Sequence, residues 1–562
     1  MAREHFDLLI RGGTLIDGTG RESRQGDLAV RGGKIAAVGQ IQGSADTVID
    51  ADGAAVAPGF IDIHTHYDAQ VFWDRGLSIS PWHGVTTVIM GNCGFGVAPT
   101  RAGHRDLILR TLEKVEGMSL EALYAGLGTD WAFETFPQFL DAIGKRGTMI
   151  NVGALIGHTP VRTYVMGEEA TEREATAEEI AAMRALVAEA LAAGAIGFAT
   201  SKAPTHVGYD GKPVPSRMAS FTEILELARC LKGSKTALTQ ATIGVGLLFD
   251  ELRTLCEETG RPVSWTALLG GIFGPDGHRS ILDQHAELQE RGLAVIPQVS
   301  CRPLTVEFRF KEPFPLESMS LMKRVSAADF DGRMHIYAEP EFRAALRDKV
   351  ESSVFGRNFR SMAISEYAPD PALCERRLDE VANERGVHPV DLALDLSLET
   401  NLEARFRLSA ANADDGVVAE LLVHPASMLG LSDAGAHASQ LCDAGAPTTL
   451  LGKWVRDKQV LSIEEGVRQL TSQPAEVFGI SDRGRLQVGL AGDVTVFDPK
   501  TVGCQPVRRV WDFPGGADRL VADAIGIRTV IVNGTVVRQD GIDSVGADAP
   551  LPGEVLRSGK AH

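Results

Sequence analysis

Between about residues 59 and 479 the chain repeats one unit: a short apolar run, a loop, then a helical stretch. The runs include "VTTVIMGNCG", "TMINVGALIGHTPVR", "GAIGFATSKAPTH", "KTALTQAT", "RPVSWTALLGG" and "LAVIPQVSCRP". Each is apolar on both faces, as a strand buried between two layers must be. Strands that alternate with helices form a parallel sheet. One helix is explicit in the sequence. Thr176 and Glu179 make a capping box, Ile180, Met183, Val187 and Leu191 recur on one face, and Gly194 stops it. A chain of 562 residues has room for eight such units. The expected fold is therefore α/β, a (β/α)8 barrel of the TIM type, with its chemistry at the C-terminal ends of the strands.

The two ends share a different texture. "FDLLIRGGTLIDGTG" and "GDLAVRGGKIAAVG" are short strands punctuated by Gly and Asp, and "AGDVTVFDP" and "IRTVIVNGTVVRQDG" repeat the style. Asn533-Gly534 is a two-residue hairpin signal. A small β-sandwich domain built from residues 1–58 and 480–562 is expected, with the barrel over 59–479 inserted between its halves. A charged, irregular stretch at about 305–385 reads as an insertion over the active-site face.

The formal net charge of −18 argues against nucleic acid or an anionic membrane as a partner. The opening "MAREHFDLLIRGG" lacks the apolar stretch of a signal peptide. No apolar run approaches the roughly 18–20 residues of a membrane span. Seven cysteines are scattered without paired spacing, which reads as a reducing compartment and so as cytoplasm. The expected partner is a small molecule; a homo-oligomer stays open.

The chemistry concentrates in "VAPGFIDIHTHYDAQ". Side chains two apart on a strand point the same way, so His64 and His66 converge. At the mouth of a barrel two neutral imidazoles are a natural divalent-metal site. A pair of satisfied loop histidines is the plain alternative.

"APGFIDIHTHYD" resembles the amidohydrolase superfamily, and "HGVTTVIMGNCGFGVAP" narrows the likeness to proteins similar to N-acyl-D-amino-acid deacylases, the D-aminoacylases. "LTSQPAEVFGISDRGRLQVGLAGDVTVFDP" resembles their closing segment and "TVIVNGTVV" their last hairpin. The likeness runs from about residue 5 to about 555 and is weakest through the middle third. It implies metal ligation by His64, His66 and the cysteine of "GNCG", Cys93. A thiolate beside a divalent cation is a sound zinc ligand; a small buried hydrophobe is the alternative. It also implies that Asp433, in "MLGLSDAGAH", ends the last strand, binds metal and shuttles the proton. A turn or capping aspartate would suit the same glycine-rich context.

The sequence then departs from the pattern. Relatives carry a histidine ending strand five and another ending strand six. Here "ALTQATIG" and "PVSWTALL" place Gln240 and Trp265 near those positions. An amide oxygen is a poor zinc ligand and indole is none. One zinc ion is therefore expected rather than two, with other divalent metals open. Lys202, in "GFATSKAPTH", could be a carboxylated bridge as in hydantoinases, or a solvated loop lysine. His206 and His158 follow strands and are candidates for holding substrate or polarising its carbonyl. Arg162 and Arg302 could grip a substrate carboxylate or serve in structural ion pairs. His437 is expected to orient the loop after Asp433.

The expected activity is metal-dependent hydrolysis of an amide-type C–N bond, with Asp433 as general base and then acid. The resemblance implies an N-acylated D-amino acid as substrate. The alternatives are a cyclic-amide hydrolase of the hydantoinase or dihydropyrimidinase kind, and a catalytically silent scaffold.

Overall fold

The computed structural model describes residues 4–559 apart from 314, 315, 318, 353–357, 439–443, 547 and 548. Eight parallel strands follow one another in chain order: Phe60–Asp62, Val85–Met90, Asn151–Gly157, Gly197–Ser201, Leu238–Thr242, Val263–Thr266, Val295–Val299 and Met428–Leu429. The last returns to the first, because Thr65 bridges Ala434 in parallel and the His66 N–H donates to the Ala434 carbonyl at 2.8 Å. The sheet is thus a closed barrel. Its interior holds Ile61, Ile89, Leu155, Ala199, Leu238, Ile296 and Met428, one from each of seven strands, and Ile480 and Leu556 join the same core. The outward side chains, such as Val88, Phe198, Ala241 and Val295, pack on the helices through Leu252, Leu255 and Ile281. This double burial is why the runs are apolar on both faces.

The helix Ala177–Ala193 forms as its pattern requires. Thr176 and Glu179 make the reciprocal capping box, and Gly194 ends the helix with a left-handed φ of 112°. Met183, Val187 and Ala190 are its buried positions, and Ile180 and Leu191 pack half-buried against the same core.

The chain ends meet in one continuous nine-stranded sheet. Ala55–Pro58 pairs antiparallel with Val494–Phe497, which stitches the N-terminal strands to Ile527–Val532 and Thr535–Gln539. Leu8, Ile10, Leu28, Val30, Val494 and Ile531 share its core.

Between strands seven and eight the chain makes a long excursion. Leu304–Arg309, Ala363–Glu366 and Arg405–Ala411 form a separate antiparallel sheet. With its helices it encloses its own core around Phe310, Tyr337, Phe359, Leu394 and Phe406. The excursion therefore continues past residue 385 to Ala411. The helix Pro389–Glu399 is apolar enough to resemble a barrel helix. Among the described residues no helix is long and apolar enough to cross a membrane.

Candidate metal centre

His64 and His66 leave the first strand just beyond its last ladder residue, Asp62, where the chain bends at His64. Two bonds hold that bend: His64 N–H donates to the Asp62 carboxylate at 3.2 Å, and the Ser432 hydroxyl donates to the His64 carbonyl at 3.0 Å. Both imidazoles are buried, His64 completely. Cys93 follows the second strand and Asp433 follows the eighth. Cys93 (φ 56°), Asp433 (φ 43°) and His437 (φ 46°) all occupy the left-handed region. That region costs most side chains energy, and such residues concentrate where geometry serves a task.

The donor atoms converge. The ligating atoms of His64, His66 and Cys93 lie within 4.8 Å of one another. Cys93 Sγ is 3.4 Å from His64 Nε2. Asp433 Oδ1 is 3.2 Å from His64 Nε2 and 3.5 Å from His66 Nε2.

Neighbours set which atom of each ring faces inward. His64 Nδ1–H donates to Gln298 Oε1 at 2.8 Å, and Gln298 Nε2 donates to the Ser264 hydroxyl at 2.9 Å. That fixes the His64 tautomer and leaves Nε2 as the lone-pair donor, the usual outer support of a metal-bound histidine. Gly430 makes room for this support, since a Cβ there would stand 2.6 Å from Gln298 Oε1. His66 Nδ1 lies 3.1 Å from the buried Glu116 carboxylate, so its Nε2 also faces Asp433. Gln298 and Glu116 escape a sequence reading. The one clue to Gln298 is a polar residue within an apolar strand. Glu116 ends a helix outside the barrel and leaves no signal.

Electrostatics couple the cluster. Burial pushes the Cys93 thiol up, but His64 and then His66 beside it outweigh this and bring it down to about 7. Burial likewise opposes ionisation of Asp433, yet the His64 and His66 charges hold its carboxyl well below the usual range. His66 is raised well above its ordinary value: burial lowers it, and the Glu116 charge more than compensates. Two imidazole nitrogens, a thiol poised to ionise and a carboxylate form a borderline-soft donor set that fits zinc.

The remaining candidates separate. His206 belongs with the site. Its ring packs on Phe95 with centroids 4.9 Å apart, and Phe95 packs in turn on His66 at 6.3 Å. Burial, then the charges of His437 and His66, drives His206 down to about 3, so it is neutral. His158 does not belong. It is fully buried, with Nδ1 2.8 Å from the Thr200 hydroxyl and Nε2 2.9 Å from Glu223, so neither nitrogen is left for substrate. Arg162 is spent on the same Glu223. Arg302 follows strand seven as expected, but its Nη1 points to Cys504 Sγ at 3.5 Å, beside the C-terminal segment. Lys202 Nζ donates to the carbonyls of Arg217 and Ala219.

Trp265 is a correction. Gln240 pairs in register with Ser264, so Ser264 and not Trp265 shares its inward face. Trp265 faces the helices, packs on Phe249 and donates Nε1–H to His285 at 2.9 Å. It therefore lies outside the centre. Gln240 does reach the centre, where its Oε1 accepts the Cys93 N–H at 2.8 Å.

Comparison with known proteins identifies the family. The amidohydrolase family matches residues 47–538. D-aminoacylase of Alcaligenes xylosoxydans xylosoxydans is 31% identical over 542 residues, 95% of each chain. N-acyl-D-glutamate deacylase of the same organism is 30% identical over 570 residues, 99% of this chain and 97% of that one. Among solved structures, N-acyl-D-glutamate deacylase from Bordetella bronchiseptica, complexed with zinc and a phosphonate inhibitor, is similar with a TM-score of 0.67 and 28% identity. The match covers 99% of this chain and 100% of that one.

Proposed function

The chain belongs to the amidohydrolase family, and from that premise we propose that it is a zinc-dependent hydrolase that removes the acyl group from N-acylated D-amino acids. The observation that carries this reading is the convergence of His64 Nε2, His66 Nε2, Cys93 Sγ and Asp433 Oδ1 at the barrel mouth. These four atoms would hold the ion. When bound, it supplies a Lewis acid that polarises the scissile carbonyl and makes water a nucleophile near neutral pH.

The chain's own groups do the rest. Asp433, held ionised, accepts the proton of the attacking water and later delivers it to the leaving nitrogen. Ser201 Oγ accepts the Ala203 N–H and lies 2.6 Å from His206 Nδ1; in this mechanism it donates its own proton there. The neutral His206 then carries its hydrogen on Nε2 and offers it to the developing oxyanion. Gln298 and Glu116 keep the two histidines aimed.

One ion is favoured over two. Strands five and six present Gln240 and Ser264 to the interior, and their oxygens are engaged by Cys93 N–H and by Gln298. No nitrogen ligand comes from either strand. The direction of Lys202 Nζ, towards two backbone carbonyls, speaks against a lysine-bridged pair of ions and so against the cyclic-amide alternative. The retention of strained Cys93 and Asp433 speaks against a silent scaffold.

The test is a substrate screen on the zinc-loaded full chain. N-acyl-D-amino acids are expected to be hydrolysed roughly 10–100-fold faster than their L-enantiomers, as one misplaced substituent in a shaped site costs about that much. Hydantoin and dihydrouracil are expected to stay intact. Equal rates on D and L forms, or ring opening alone, would overturn the deacylase reading.

A further inference from the structure

The loop between the fourth strand and the helix Phe221–Ala228 lies on the same barrel face as the metal centre. Of its half-buried cations, Lys212 pairs with Glu172, and Lys202 and Arg217 remain. Lys202 Nζ donates to the carbonyls of Arg217 and Ala219 at 2.5 and 2.7 Å. Arg217 Nη1 donates to the His206 carbonyl at 3.0 Å. Neither makes an ion pair among the described residues, although acids outnumber bases 74 to 56 in this chain.

Two other cations near the centre are matched to acids. Arg162 is paired with Glu223. Arg519, which lines the small cavity of about 30 Å³ beside Asp433 and Tyr67, sets its fork on Asp512 at 2.7 and 2.8 Å. Glu223, the acid that acts most on Lys202, is already shared by His158 and Arg162. Burial lowers the pKa of Arg217 and of Lys202, and the Arg162 charge adds to the effect on Lys202. Withdrawing a guanidinium from water without an acid opposite it costs free energy, and an anionic ligand recovers it.

Position supplies the second argument. From the metal centre outward, His66 packs on Phe95, Phe95 on His206, and the His206 backbone holds Arg217. A guanidinium with no acid opposite it among the described residues thus bonds the backbone of the residue that would face the scissile carbonyl.

We propose that Arg217 is the substrate-carboxylate residue of this enzyme: its guanidinium binds the α-carboxylate of the amino acid being released, with Lys202 adding to the positive field of the loop. The inference rests on the deacylase reading and deepens it. It assigns the recognised anion to the leaving amino acid and not to the acyl group. It also moves carboxylate binding away from Arg162, whose charge is spent.

The experiment compares N-acetyl-D-methionine with N-acetyl-D-methioninamide, in which the carboxylate becomes a neutral amide, on the zinc-loaded full chain. Wild type is expected to prefer the acid. Arg217→Met is expected to raise KM for the acid on the order of 10–100-fold, the worth of a hydrogen-bonded charge, with kcat changed far less. The acid-over-amide preference then collapses towards one, and Arg217→Lys restores part of it. A distorted loop would lower kcat on both compounds and would gain nothing from the lysine. An unchanged KM for the acid in Arg217→Met, or a wild type indifferent to the carboxylate, overturns the subsite and leaves the deacylase reading standing. A wild type that hydrolyses neither compound, nor any other N-acyl-D-amino acid, overturns both.

Discussion

Asp433→Asn lowers kcat on the order of a thousandfold while the chain still folds, even when added zinc saturates the three ligands that remain. Asparagine keeps the shape and one oxygen but cannot accept the proton of the attacking water, and a positioned general base is worth about 10²–10⁴-fold. The site is built to keep this group ionised. Burial alone would favour the neutral acid, and His64 and His66 beside it reverse that. The left-handed φ of 43° is a conformation that asparagine tolerates as readily as aspartate, so the backbone after strand eight survives the exchange. Steady-state kinetics with zinc content measured on the same preparation checks the result. Near-wild-type turnover at full zinc occupancy would remove Asp433 from the chemistry.

His64→Asn has the second large effect, through the metal and not the base. Losing even an outer support of a metal ligand costs about 10–100-fold in affinity, so losing the ligand itself exceeds that, and activity falls with occupancy. The asparagine amide N–H stands where Nδ1 stood and can still donate to Gln298 Oε1, so the loss falls on the metal-facing Nε2. Zinc retained after dialysis and the melting temperature are expected to fall together. A variant that keeps wild-type zinc through dialysis would contradict the assignment of His64.

How legible this was in the sequence depended on distance along the chain. The barrel could be read because each strand carries its own signature: apolar on both faces, then a loop. The pairing of His64 with His66 followed from period two, yet the phase did not. Ile61 and Ile63 face the interior, so an unbroken strand would have sent Thr65 there next. The bend at His64 resets the alternation and brings both imidazoles into the mouth. The same parity misled at strand six. Only the register of Gln240 against Ser264 reveals that Trp265 looks outward, and register is a property of the paired strands, absent from either alone. His158 follows a strand as a site residue would, but its partners, Thr200 and Glu223, lie 42 and 65 residues away. Glu116 and Gln298 stayed hidden for the same reason: each matters through a histidine far from it in sequence.

The D-amino-acid preference, Asp433 as the base and Arg217 as the carboxylate group all presuppose a centre that holds one ion on His64, His66, Cys93 and Asp433. Elemental analysis of freshly purified chain, scaled to protein concentration, addresses that directly. About one equivalent of zinc is the expected result, unchanged in Gln240→Ala, because the glutamine oxygen serves the Cys93 backbone and not an ion. Two equivalents, or none with no uptake of added metal, would contradict the account.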